Sequence, residues 1–395
     1  MKSSDTWNVP AKIVVTCARG LSAALSTELQ SLKFPVVEAS DTSVTTRGTL
    51  ADTMRLNLWL RTAHRVLWPL LQRRVGTLDE LYRAVNNIPW EYWLSVEGSL
   101  TVSASVADTV ARDTRMPSLK TKDAIVDRLR RLYGSRPDSG SDFSGAAVFI
   151  FWHETDLRVY LDTTGIPLSR RGYRRQPWQA PMQETLAAAC IMSMGWNTKG
   201  PLVVPMCGSG TPAIEAALMA VRRAPGISRP HFAFMSLKYF DLMRSSWRHL
   251  KSEATAGERT DIGKAAIIAS DIAPQAISAA RANARLAGVE NIIRFETCDF
   301  GATTIPPAPG MLFMNPEYGE RLGNAAELVP VYERIGRFLR ERCAGYRAFV
   351  FAGNKQLSLK LGLKSSSCTP FMNGPITCRL LEFEIFGPEQ RSRLQ

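Results

Sequence analysis

The sequence predicts an α/β protein in which a mixed α+β region is followed by a mostly parallel open sheet. In the first half, short strands and helices alternate, and part of the pattern has the period of two that is typical of half-buried strands. In the second half, the strands are continuously apolar and alternate with helices, which favours a parallel sheet. A connector rich in Pro, Gly and Arg, Thr163–Pro181, separates the halves. A chain of 395 residues has room for two or three domains.

The elements of the first half follow from periodicity and turn residues. Leu100-Thr-Val-Ser-Ala-Ser alternates between apolar and polar residues and predicts a strand. Lys122–Tyr133 places apolar side chains on one face, basic ones on the other, and ends at Gly134. The other predicted elements are a strand at Ala11–Thr16, a helix at Leu21–Leu32, a hairpin of Val36–Glu38 with Val44–Thr46, an amphipathic segment at Leu50–Leu60, a strand at Arg65–Leu71, a short helix at Leu78–Ala84 and a closing hairpin of Ala147–Phe151 with Arg158–Asp162.

The second half contains a regular alternation of apolar strands and helices. Strands are predicted at 201–204, 266–270, 292–297, 311–314 and 346–351, and helices at 184–195, 212–222, 274–287 and 326–343. Segment 375–386 is predicted to close the sheet as an antiparallel edge strand. Arg222–Gly263 is long and basic in its middle, so it is interpreted as an insertion with a helix around 236–252.

Composition excludes several classes of protein. Hydrophobic residues make up 45% of the chain and charged residues 22%, as in ordinary globular proteins. No run of eighteen apolar residues predicts a transmembrane helix, and the first residues have no signal-peptide pattern, so a cytoplasmic location is expected. The seven cysteines and four histidines lack the spacing of metal ligands, so we expect reduced thiols and no structural metal.

A net charge of +13 suggests a polyanionic partner. The segment from Arg112 to Arg136 carries eight basic and three acidic residues, and the connector from 163 to 176 carries four arginines and no acid. Tyr173 and Trp178 accompany these arginines and are candidate stacking partners for bases. The candidate RNA-binding residues are Lys120, Lys122, Arg128, Arg131, Arg170, Arg171, Arg174 and Arg175. The alternative is that both segments are simply solvated faces.

A glycine turn follows the first strand of the second half. Pro205-Met-Cys-Gly-Ser-Gly-Thr211 contains two glycines that permit a tight strand-to-helix turn and bring main-chain N–H groups close to a ligand. Such a turn suits a nucleoside-bearing cofactor, but it also occurs as a mere tight corner. A dinucleotide site would need an acidic residue about twenty positions later, and none occurs between Glu215 and Asp241, which argues against NAD.

Polar residues end the next strands as well. Asp271 is a candidate acceptor for two ribose hydroxyls, and Asp299 is a candidate acceptor for an adenine amino group. Each carboxylate has an alternative role as a helix N-cap. Because the carboxyl ends of parallel strands meet at one edge of a sheet, we expect the glycine turn, both aspartates and Asn315 to share a crevice.

Asn315-Pro-Glu-Tyr318 is the most specific signal in the chain. The Asn315 side-chain oxygen and the Pro316 carbonyl can each accept a hydrogen from an exocyclic amine, which directs the nitrogen lone pair towards a methyl donor. Tyr318 can stack on a base that has left its helix. Positioning would do most of the catalytic work, because the amine loses its proton after transfer. The pattern therefore indicates methylation of a base amino group, with a simple Pro-Tyr turn as the alternative.

Motifs along nearly the whole chain resemble those of the THUMP-domain guanine-N2 methyltransferases of large-subunit ribosomal RNA. They are Leu58–Val66, Lys122–Asp127, Leu161–Gly165, Arg171–Arg174, Ala180–Glu184, Cys207–Thr211, Ile214–Ala217 and Asn315–Leu322. The resemblance implies a ferredoxin-like segment at 1–55, a THUMP RNA-binding domain at 56–162, a basic linker at 163–183 and a Rossmann-like class I methyltransferase domain at 184–395. It also implies ribosomal RNA or a pre-ribosomal particle as partner, with no membrane involved; the oligomeric state is not predicted.

The site residues combine the strand-end pattern with this resemblance. The catalytic candidates are Asn315, Pro316 and Tyr318. The candidates for binding S-adenosylmethionine are Pro205, Cys207, Gly208, Gly210, Thr211, Asp271, Ile272, Asp299, Phe300, Ala180, Pro181 and Met182, the last three near its methionine end.

Two positions depart from the usual family pattern. Val204 stands where members usually have Asp, and Glu317 stands where they usually have a second Pro. These changes support an alternative hypothesis, in which the chain is a catalytically inactive homologue that acts as an RNA-binding or ribosome-assembly factor. DNA adenine methylation is a third hypothesis, which the RNA-binding type of N-terminal half disfavours.

Overall fold

The computed structural model describes residues 8–107, 113, 115–140, 143–176, 178, 181–238, 240–260, 262, 266–318 and 325–387. Contacts between Cα atoms divide the chain into two compact units. The first unit contains residues 1–18, 25–170 and 224–256, and the second contains 19–24, 171–223 and 257–395. Within the described residues, no helix has both the length and the apolarity that crossing a membrane requires.

Helices and strands alternate through both units. The described helices are α1 (Ser22–Ser31), α2 (Asp52–Trp59), α3 (Leu78–Asn86), α4 (Met116–Tyr133), α5 (Glu184–Ser193), α6 (Thr211–Ala220), α7 (Phe240–Ala256), α8 (Pro274–Ala287), α9 (Ala325–Arg342) and α10 (Lys355–Leu359). The strands of the first sheet are β1 (Ala11–Cys17), β2 (Val36–Ala39), β3 (Ser43–Gly48), β4 (Ala63–Arg74), β5 (Ser99–Ala107), β6 (Asp138–Ser139), β7 (Ala146–His153) and β8 (Asp156–Asp162). Those of the second are β9 (Leu202–Pro205), β10 (Ile267–Asp271), β11 (Ile293–Thr297), β12 (Gly310–Met314), β13 (Tyr346–Ala352), β14 (Ser367–Asn373) and β15 (Ile376–Glu384).

The first sheet belongs to the first unit and has the order β2-β3-β1-β4-β8-β7-β5-β6. Both predicted hairpins form, since β2 pairs with β3 and β7 with β8, each antiparallel. Strands β5 and β7 pair in parallel because α4 connects them as a crossover. Helix α4 begins at Met116 rather than Lys122, with Pro117 in its first turn, and ends at Gly134 with φ of +71°, as the glycine predicts.

The insertion after α6 folds with the first unit, not the second. Its helix spans Phe240–Ala256, somewhat later than predicted. Leu237 forms a β-bridge with Leu94, and the Lys238 N–H donates to the Trp93 carbonyl at 2.9 Å. The ring of Trp247 packs edge-on against Phe232, with centroids 5.7 Å apart. These aromatic contacts bury the apolar face of a helix whose other face is polar.

The second sheet has the order β11-β10-β9-β12-β13-β15-β14. Strands β11, β10, β9, β12 and β13 run parallel, and β15 joins antiparallel to β13. The predicted α/β fold is therefore confirmed, but β14 is the outer strand where β15 was expected to be the edge. The sequence does not predict β14 because its first four residues are exposed and include Pro370, a residue tolerated on edge strands.

This order creates a switch point in the second sheet. From β9 the chain continues to β10 on one side, whereas β12 lies on the other side. In open α/β sheets, ligands bind beyond the carboxyl ends of the strands at such a point. The strands themselves are firmly buried: Leu312 and Met314 of β12 pack with Val350 and Tyr332 in the core of this unit. The turns at the carboxyl edge therefore follow strands whose positions are fixed by core packing.

Candidate functional site

A cavity of about 460 Å³ opens at the switch point of the second unit. The turns that follow β9, β10, β11 and β12 all contribute to its lining, as expected from their common edge. Its lining residues are Trp178, Pro181, Met182, Val204, Met206, Cys207, Gly208, Ser209, Thr211, Pro212, Asp271, Ile272, Ala273, Asp299, Phe300, Phe313, Asn315, Pro316, Glu317, Tyr318, Leu328, Val331 and Arg334.

Most predicted site residues line this cavity. Pro205 and Gly210 do not, and Ala180 lies outside the described residues. Sequence reasoning missed several lining residues: Trp178 as a cofactor-side residue, Met206, Ser209, Pro212, Ala273, Phe313, Leu328, Val331 and Arg334. Met206, Ser209 and Pro212 lie in or beside the glycine turn, so the motif could have predicted them. Leu328, Val331 and Arg334 belong to α9, where no local signal distinguishes cavity positions from other helical positions.

The glycine turn after β9 combines an open position with a crowded one. Gly208 has φ of +54°, and a Cβ atom built there would meet no atom of the described residues within 4 Å, apart from its neighbours in the chain. Gly210 has φ of +83°, and a Cβ atom there would lie 2.9 Å from Ala280 Cβ on α8. Gly210 therefore allows α8 to pack closely, whereas Gly208 presents its backbone to free space at the cavity. The structure thus separates a packing role for Gly210 from a cavity-facing role for Gly208, which the motif alone does not do.

Asp271 joins the end of β10 to the glycine turn. One carboxylate oxygen accepts the Gly208 N–H at 2.9 Å, and the other accepts the Ala273 N–H at 3.0 Å. The N-cap residue of α8 is Ala273, so Asp271 does not take the simple N-cap role. Each carboxylate oxygen keeps a lone pair for a further donor. Asp271 is held in place at the cavity with acceptor capacity to spare.

Asp299 has more local partners than the sequence indicates. It is the N-cap of a short 3₁₀ turn, where Oδ1 accepts the Gly301 N–H at 2.9 Å. The same oxygen accepts from Arg334 Nη2 at 2.8 Å. The Arg334 guanidinium also lies over the Phe300 ring, 4.8 Å from its centroid. The N-cap alternative is thus realised, while the other oxygen remains on the side chain as a second acceptor.

Two polar atoms at the cavity are buried without a hydrogen-bond partner among the described residues. They are Oδ1 of Asn315 and Oγ1 of Thr211. An unsatisfied buried acceptor costs about 1–3 kcal/mol, so native proteins retain one mainly where a ligand or water satisfies it. Asn315 follows β12 directly, which fixes its backbone position. The two atoms mark places where a bound molecule would complete the hydrogen bonding.

The turn after Asn315 is held from the core side. Tyr332 on α9 is fully buried, and its hydroxyl donates to the Glu317 carbonyl at 3.1 Å. The Tyr318 hydroxyl accepts from Asn373 Nδ2 at 2.6 Å. A Cβ atom on Gly353 would lie 2.6 Å from Tyr318 Cδ2, so the ring packs directly against the glycine backbone. Tyr318 is therefore fixed in orientation while it lines the cavity.

Two predicted RNA-binding arginines instead form buried contacts. Arg171 is 3% exposed, and its Nε lies 3.4 Å from Oε1 of the fully buried Glu215. The hydroxyl of buried Tyr173 donates to the same oxygen at 2.9 Å, and burial raises the pKa of Tyr173 well above its usual range. The prediction that Arg171 and Tyr173 lie on an exposed RNA surface is therefore wrong. Their sequence context is basic, but their positions are internal.

Arg174 is a second correction, because it supports the cavity wall. Its guanidinium lies 3.2 Å from Oε2 of buried Glu184 and donates to the Met182 carbonyl at 2.9 Å. Burial raises the pKa of Glu184, and the Arg174 charge opposes that rise. Since Met182 lines the cavity, Arg174 acts on the site from behind it rather than through an exposed surface.

The remaining predicted cations lie in different environments. Arg128 pairs with Glu91 at 2.7 Å, which lowers the pKa of Glu91. Lys120 lies over the Tyr82 ring, 5.9 Å from its centroid, and Lys122 is partly exposed. Those that are exposed are Arg131, Arg170 and Arg175. None of these positions contradicts contact with RNA, and that role remains a prediction.

A basic patch forms around Asn86 and Glu91 in the first unit. Arg131 donates to Asn86 Oδ1 at 3.2 Å, and Lys238 donates to the Glu91 carbonyl at 3.0 Å. Tyr133 and Tyr92 are 49% and 55% exposed, and Lys238 lies over the Tyr133 ring at 5.5 Å. We call Arg131, Lys238, Tyr92 and Tyr133 the basic patch. Lys238 belongs to the insertion, so only the tertiary structure reveals its membership.

No group of three or more His, Cys, Asp or Glu side chains within the described part of the chain is placed to hold a metal ion.

Three family models match consecutive parts of the chain. A model described as "RMKL-like, methyltransferase domain" matches residues 171–382, which contain the whole cavity lining. A model of the RlmL ferredoxin-like domain matches residues 12–67, and a THUMP domain model matches residues 75–161. The chain belongs to the RMKL-like methyltransferase family. The resemblance to THUMP-domain methyltransferases is thereby confirmed, as is the fold that it implies.

Relatives with similar sequences agree with this membership. The ribosomal RNA large subunit methyltransferase K/L of Syntrophotalea carbinolica is 36% identical over 97% of this chain and 55% of its own length. The K/L protein of Chromohalobacter salexigens is 35% identical over 96% of this chain and 53% of its own length. This family member thus spans about half the length of these K/L relatives. The Synechocystis sp. protein named "Putative RNA methyltransferase slr0064" is 35% identical over 94% of this chain and 96% of its own length.

Solved structures share the fold over almost the whole chain. The structure of SMU.472 complexed with SAH has a TM-score of 0.85 at 28% identity, covering 96% of this chain and 99% of that one. A possible methylase from Clostridium difficile 630 has a TM-score of 0.86 at 27% identity, with coverage of 96% and 99%.

Proposed function

We propose that this family member is an RNA methyltransferase that transfers a methyl group to the exocyclic N2 of a guanine in large-subunit ribosomal RNA. The observation that carries the proposal is the buried, unsatisfied Oδ1 of Asn315 at the cavity. A bound amine would donate to this oxygen and remove the cost of leaving it unpaired. The Pro316 carbonyl lies beside this oxygen in the chain and lines the same cavity, so the two acceptors together suit a group with two hydrogens to donate, such as an exocyclic amine.

S-adenosylmethionine is the cofactor, since the chain belongs to a methyltransferase family and a related structure holds SAH. When bound, it supplies a methyl group on a positively charged sulfur. The residues present fit it: the Gly208 backbone faces free space, Asp271 and Asp299 keep spare acceptors, and Pro181 and Met182 complete the wall. We assign the ribose hydroxyls to Asp271 and the adenine to the side of Asp299 and Phe300.

The substrate amine would bind at the turn after β12. Asn315 Oδ1 and the Pro316 carbonyl accept its two hydrogens, which leaves the nitrogen lone pair directed away from them. The fixed ring of Tyr318 offers a stacking surface for a flipped base. With the cofactor bound, Asn315 and Pro316 would hold the amine facing the methyl group that the cofactor supplies, and the methylated amine would then lose one proton to solvent. Orientation supplies most of the rate gain, so no strong base is required.

The choice of RNA as substrate rests on the first unit. The THUMP model covers residues 75–161, and the basic patch combines cations with exposed aromatic rings, as single-stranded RNA surfaces do. The K/L relatives are named for large-subunit ribosomal RNA, which we carry over as part of the proposal. A pre-ribosomal particle as the actual substrate, the cytoplasmic location, and domain boundaries at residues 55, 162 and 183 remain predictions.

The decisive experiment compares the wild-type protein with Asn315→Ala. The substrate is deproteinised large-subunit ribosomal RNA from a strain that lacks the gene, and the product is identified as N2-methylguanosine by nucleoside mass spectrometry. We expect Asn315→Ala to lower methyl transfer at least ~100-fold, because the amine loses its positioning acceptor. Binding of SAH and of RNA should each stay within about threefold of wild type.

Two results would contradict this proposal. If Asn315→Ala retains methyl transfer, the assignment of Asn315 is wrong. If the wild-type protein binds RNA but shows no binding of S-adenosylmethionine by calorimetry at millimolar concentrations, the chain is the inactive RNA-binding homologue that Val204 and Glu317 raise as the alternative. Val204 is buried in the cavity wall, so Val204→Asp tests whether the usual residue restores binding.

A further inference from the structure

Glu317 is an acidic residue in the lining of the cavity and follows the proposed amine acceptors directly in the chain. It is exposed and lines the same cavity as Asn315 and Pro316. The backbone of Glu317 is held in place because the hydroxyl of buried Tyr332 donates a hydrogen bond to its carbonyl at 3.1 Å. Glu317 therefore belongs to an anchored turn, two residues beyond Asn315.

The chemistry of the amino-bearing bases makes this position informative. In guanine, the N2 amine stands beside N1–H, which is a donor. In adenine, the N6 amine stands beside N1, and in cytosine the N4 amine stands beside N3; both ring nitrogens are acceptors. An ionised carboxylate only accepts hydrogen bonds. On its other side the guanine amine stands beside N3, which is an acceptor. A carboxylate on the N1 side of the bound amine therefore attracts guanine, whereas the ring nitrogen beside the amine of adenine or cytosine presents a lone pair to it.

We propose that Glu317 is the base-selecting residue of this site and that its carboxylate accepts the N1–H of the guanine whose N2 amine is held at Asn315. This inference rests on the proposed function and deepens it, because it names a group of this chain that would distinguish guanine from adenine. Selectivity built on a polar contact is strong, since the wrong base leaves a charged group facing an acceptor. The proline that family members usually have at this position offers no side-chain acceptor. This chain would therefore contact the base edge through a side chain that most members lack.

The test uses the purine analogue 2-aminopurine, which keeps the 2-amino group but has an unprotonated N1. Once mass spectrometry has located the guanosine that the wild-type enzyme methylates, synthetic RNA spanning it is made with guanosine, 2-aminopurine riboside or inosine there. Inosine has no amine and gives the blank. The ratio of kcat/KM for guanosine to that for 2-aminopurine is measured for the wild type, Glu317→Gln and Glu317→Ala. Glu341→Gln, on the exposed end of α9 and outside the cavity lining, is the matched control.

We expect the wild type and Glu341→Gln to prefer guanosine by roughly 10- to 150-fold, the range for a hydrogen bond to a charged group. Glu317→Gln keeps an oxygen that accepts N1–H and gains an amide that donates to an unprotonated N1. Its preference should therefore fall to about threefold or less, while transfer to guanosine stays within about tenfold of wild type. Glu317→Ala should lose the preference through a fall in kcat/KM for guanosine of roughly 10- to 150-fold. Comparing ratios cancels the missing O6 of the analogue, which affects every variant alike.

The outcomes separate this inference from the function on which it rests. If Glu317→Gln retains the full wild-type preference, Glu317 does not read N1–H. If Glu317→Gln abolishes transfer to guanosine while SAH binding is intact, the carboxylate acts as a proton acceptor, and the base-selecting role is overturned. If the wild-type enzyme methylates no guanosine at all, the proposed function fails and this inference fails with it.

Discussion

The two glycines of the turn after β9 offer a sharp test, because the structure gives them different roles. Gly208→Ala adds a methyl group at the cavity wall, where its chain neighbours are the only atoms of the described ranges within 4 Å. Gly210→Ala adds one 2.9 Å from Ala280 Cβ and 3.3 Å from Ala280 Cα, away from the cavity lining. We therefore expect Gly208→Ala to impair cofactor binding and Gly210→Ala to impair stability.

The magnitudes follow from the backbone angles and the packing. Both glycines have positive φ, so alanine costs about 1–2 kcal/mol of the free energy of unfolding at either position. Gly210→Ala adds overpacking against α8 of about 1–3 kcal/mol, for a loss of about 2–5 kcal/mol. Gly208→Ala should lose only the backbone cost. Its methyl group, however, occupies space that the cofactor would take, so the Kd for SAH should rise at least about tenfold.

Denaturant unfolding and isothermal titration with SAH measure the two effects separately. Ala280→Gly removes the crowded atom on α8, so the double variant Gly210→Ala/Ala280→Gly should recover the overpacking part of the loss, apart from about 1 kcal/mol for glycine within a helix. If Gly208→Ala binds SAH like the wild type, the turn does not hold the cofactor. If Gly210→Ala is no less stable than Gly208→Ala, the close packing of the turn on α8 is not a constraint.

Two further predictions concern RNA affinity and pH. In the basic patch, the double variant Arg131→Ala/Lys238→Ala should reduce the slope of log Kd against log salt concentration for single-stranded RNA by roughly 1.4. The control variant Arg285→Ala on α8 should leave this slope unchanged. If the double variant and the wild type have the same slope, the basic patch does not contact RNA. Burial raises the pKa of Glu28, although Arg61 and Thr62 donate hydrogen bonds to it. The folded protein therefore binds the Glu28 proton more tightly than the unfolded chain does. The resulting stabilisation is complete below the unfolded pKa of about 4.3 and is lost as pH rises through the folded pKa. Between these two pKa values, the free energy of unfolding falls by about 1.4 kcal/mol per pH unit. Unfolding titrations should show wild type losing stability relative to Glu28→Gln as pH rises; a constant difference would refute the pKa shift.

Much of the fold is predictable because its signals are local. Continuous apolar runs mark β9, β10 and β12, and turn residues mark where each ends. The carboxyl ends of parallel strands must share an edge, so Asp271 and Asn315 are expected near each other before any coordinates exist. The predictions of S-adenosylmethionine as cofactor and of guanine N2 as target atom came from the family resemblance, not from periodicity. The strand β14 escaped prediction because its residues have the polar pattern of a loop.

The basic segment before α5 shows the limit of such reasoning. Arg170, Arg171, Arg174 and Arg175 are chemically equivalent in the sequence, yet two are exposed and two pair with buried carboxylates. Which arginine turns inward depends on Glu215 and Glu184, which come from other elements. A buried charge needs a partner, but the sequence does not show which partner lies within reach.

From the sequence alone follow the α/β class, the order of most elements and the set of polar residues at the strand ends, because each depends on neighbours along the chain. The tertiary structure alone decides that Asn315 Oδ1 is left without a partner, that Arg334 reaches Asp299 and that Lys238 joins the basic patch. Each of these depends on burial or on contact between residues distant in the chain. Such contacts are set by how helices and sheets pack, which no local pattern encodes.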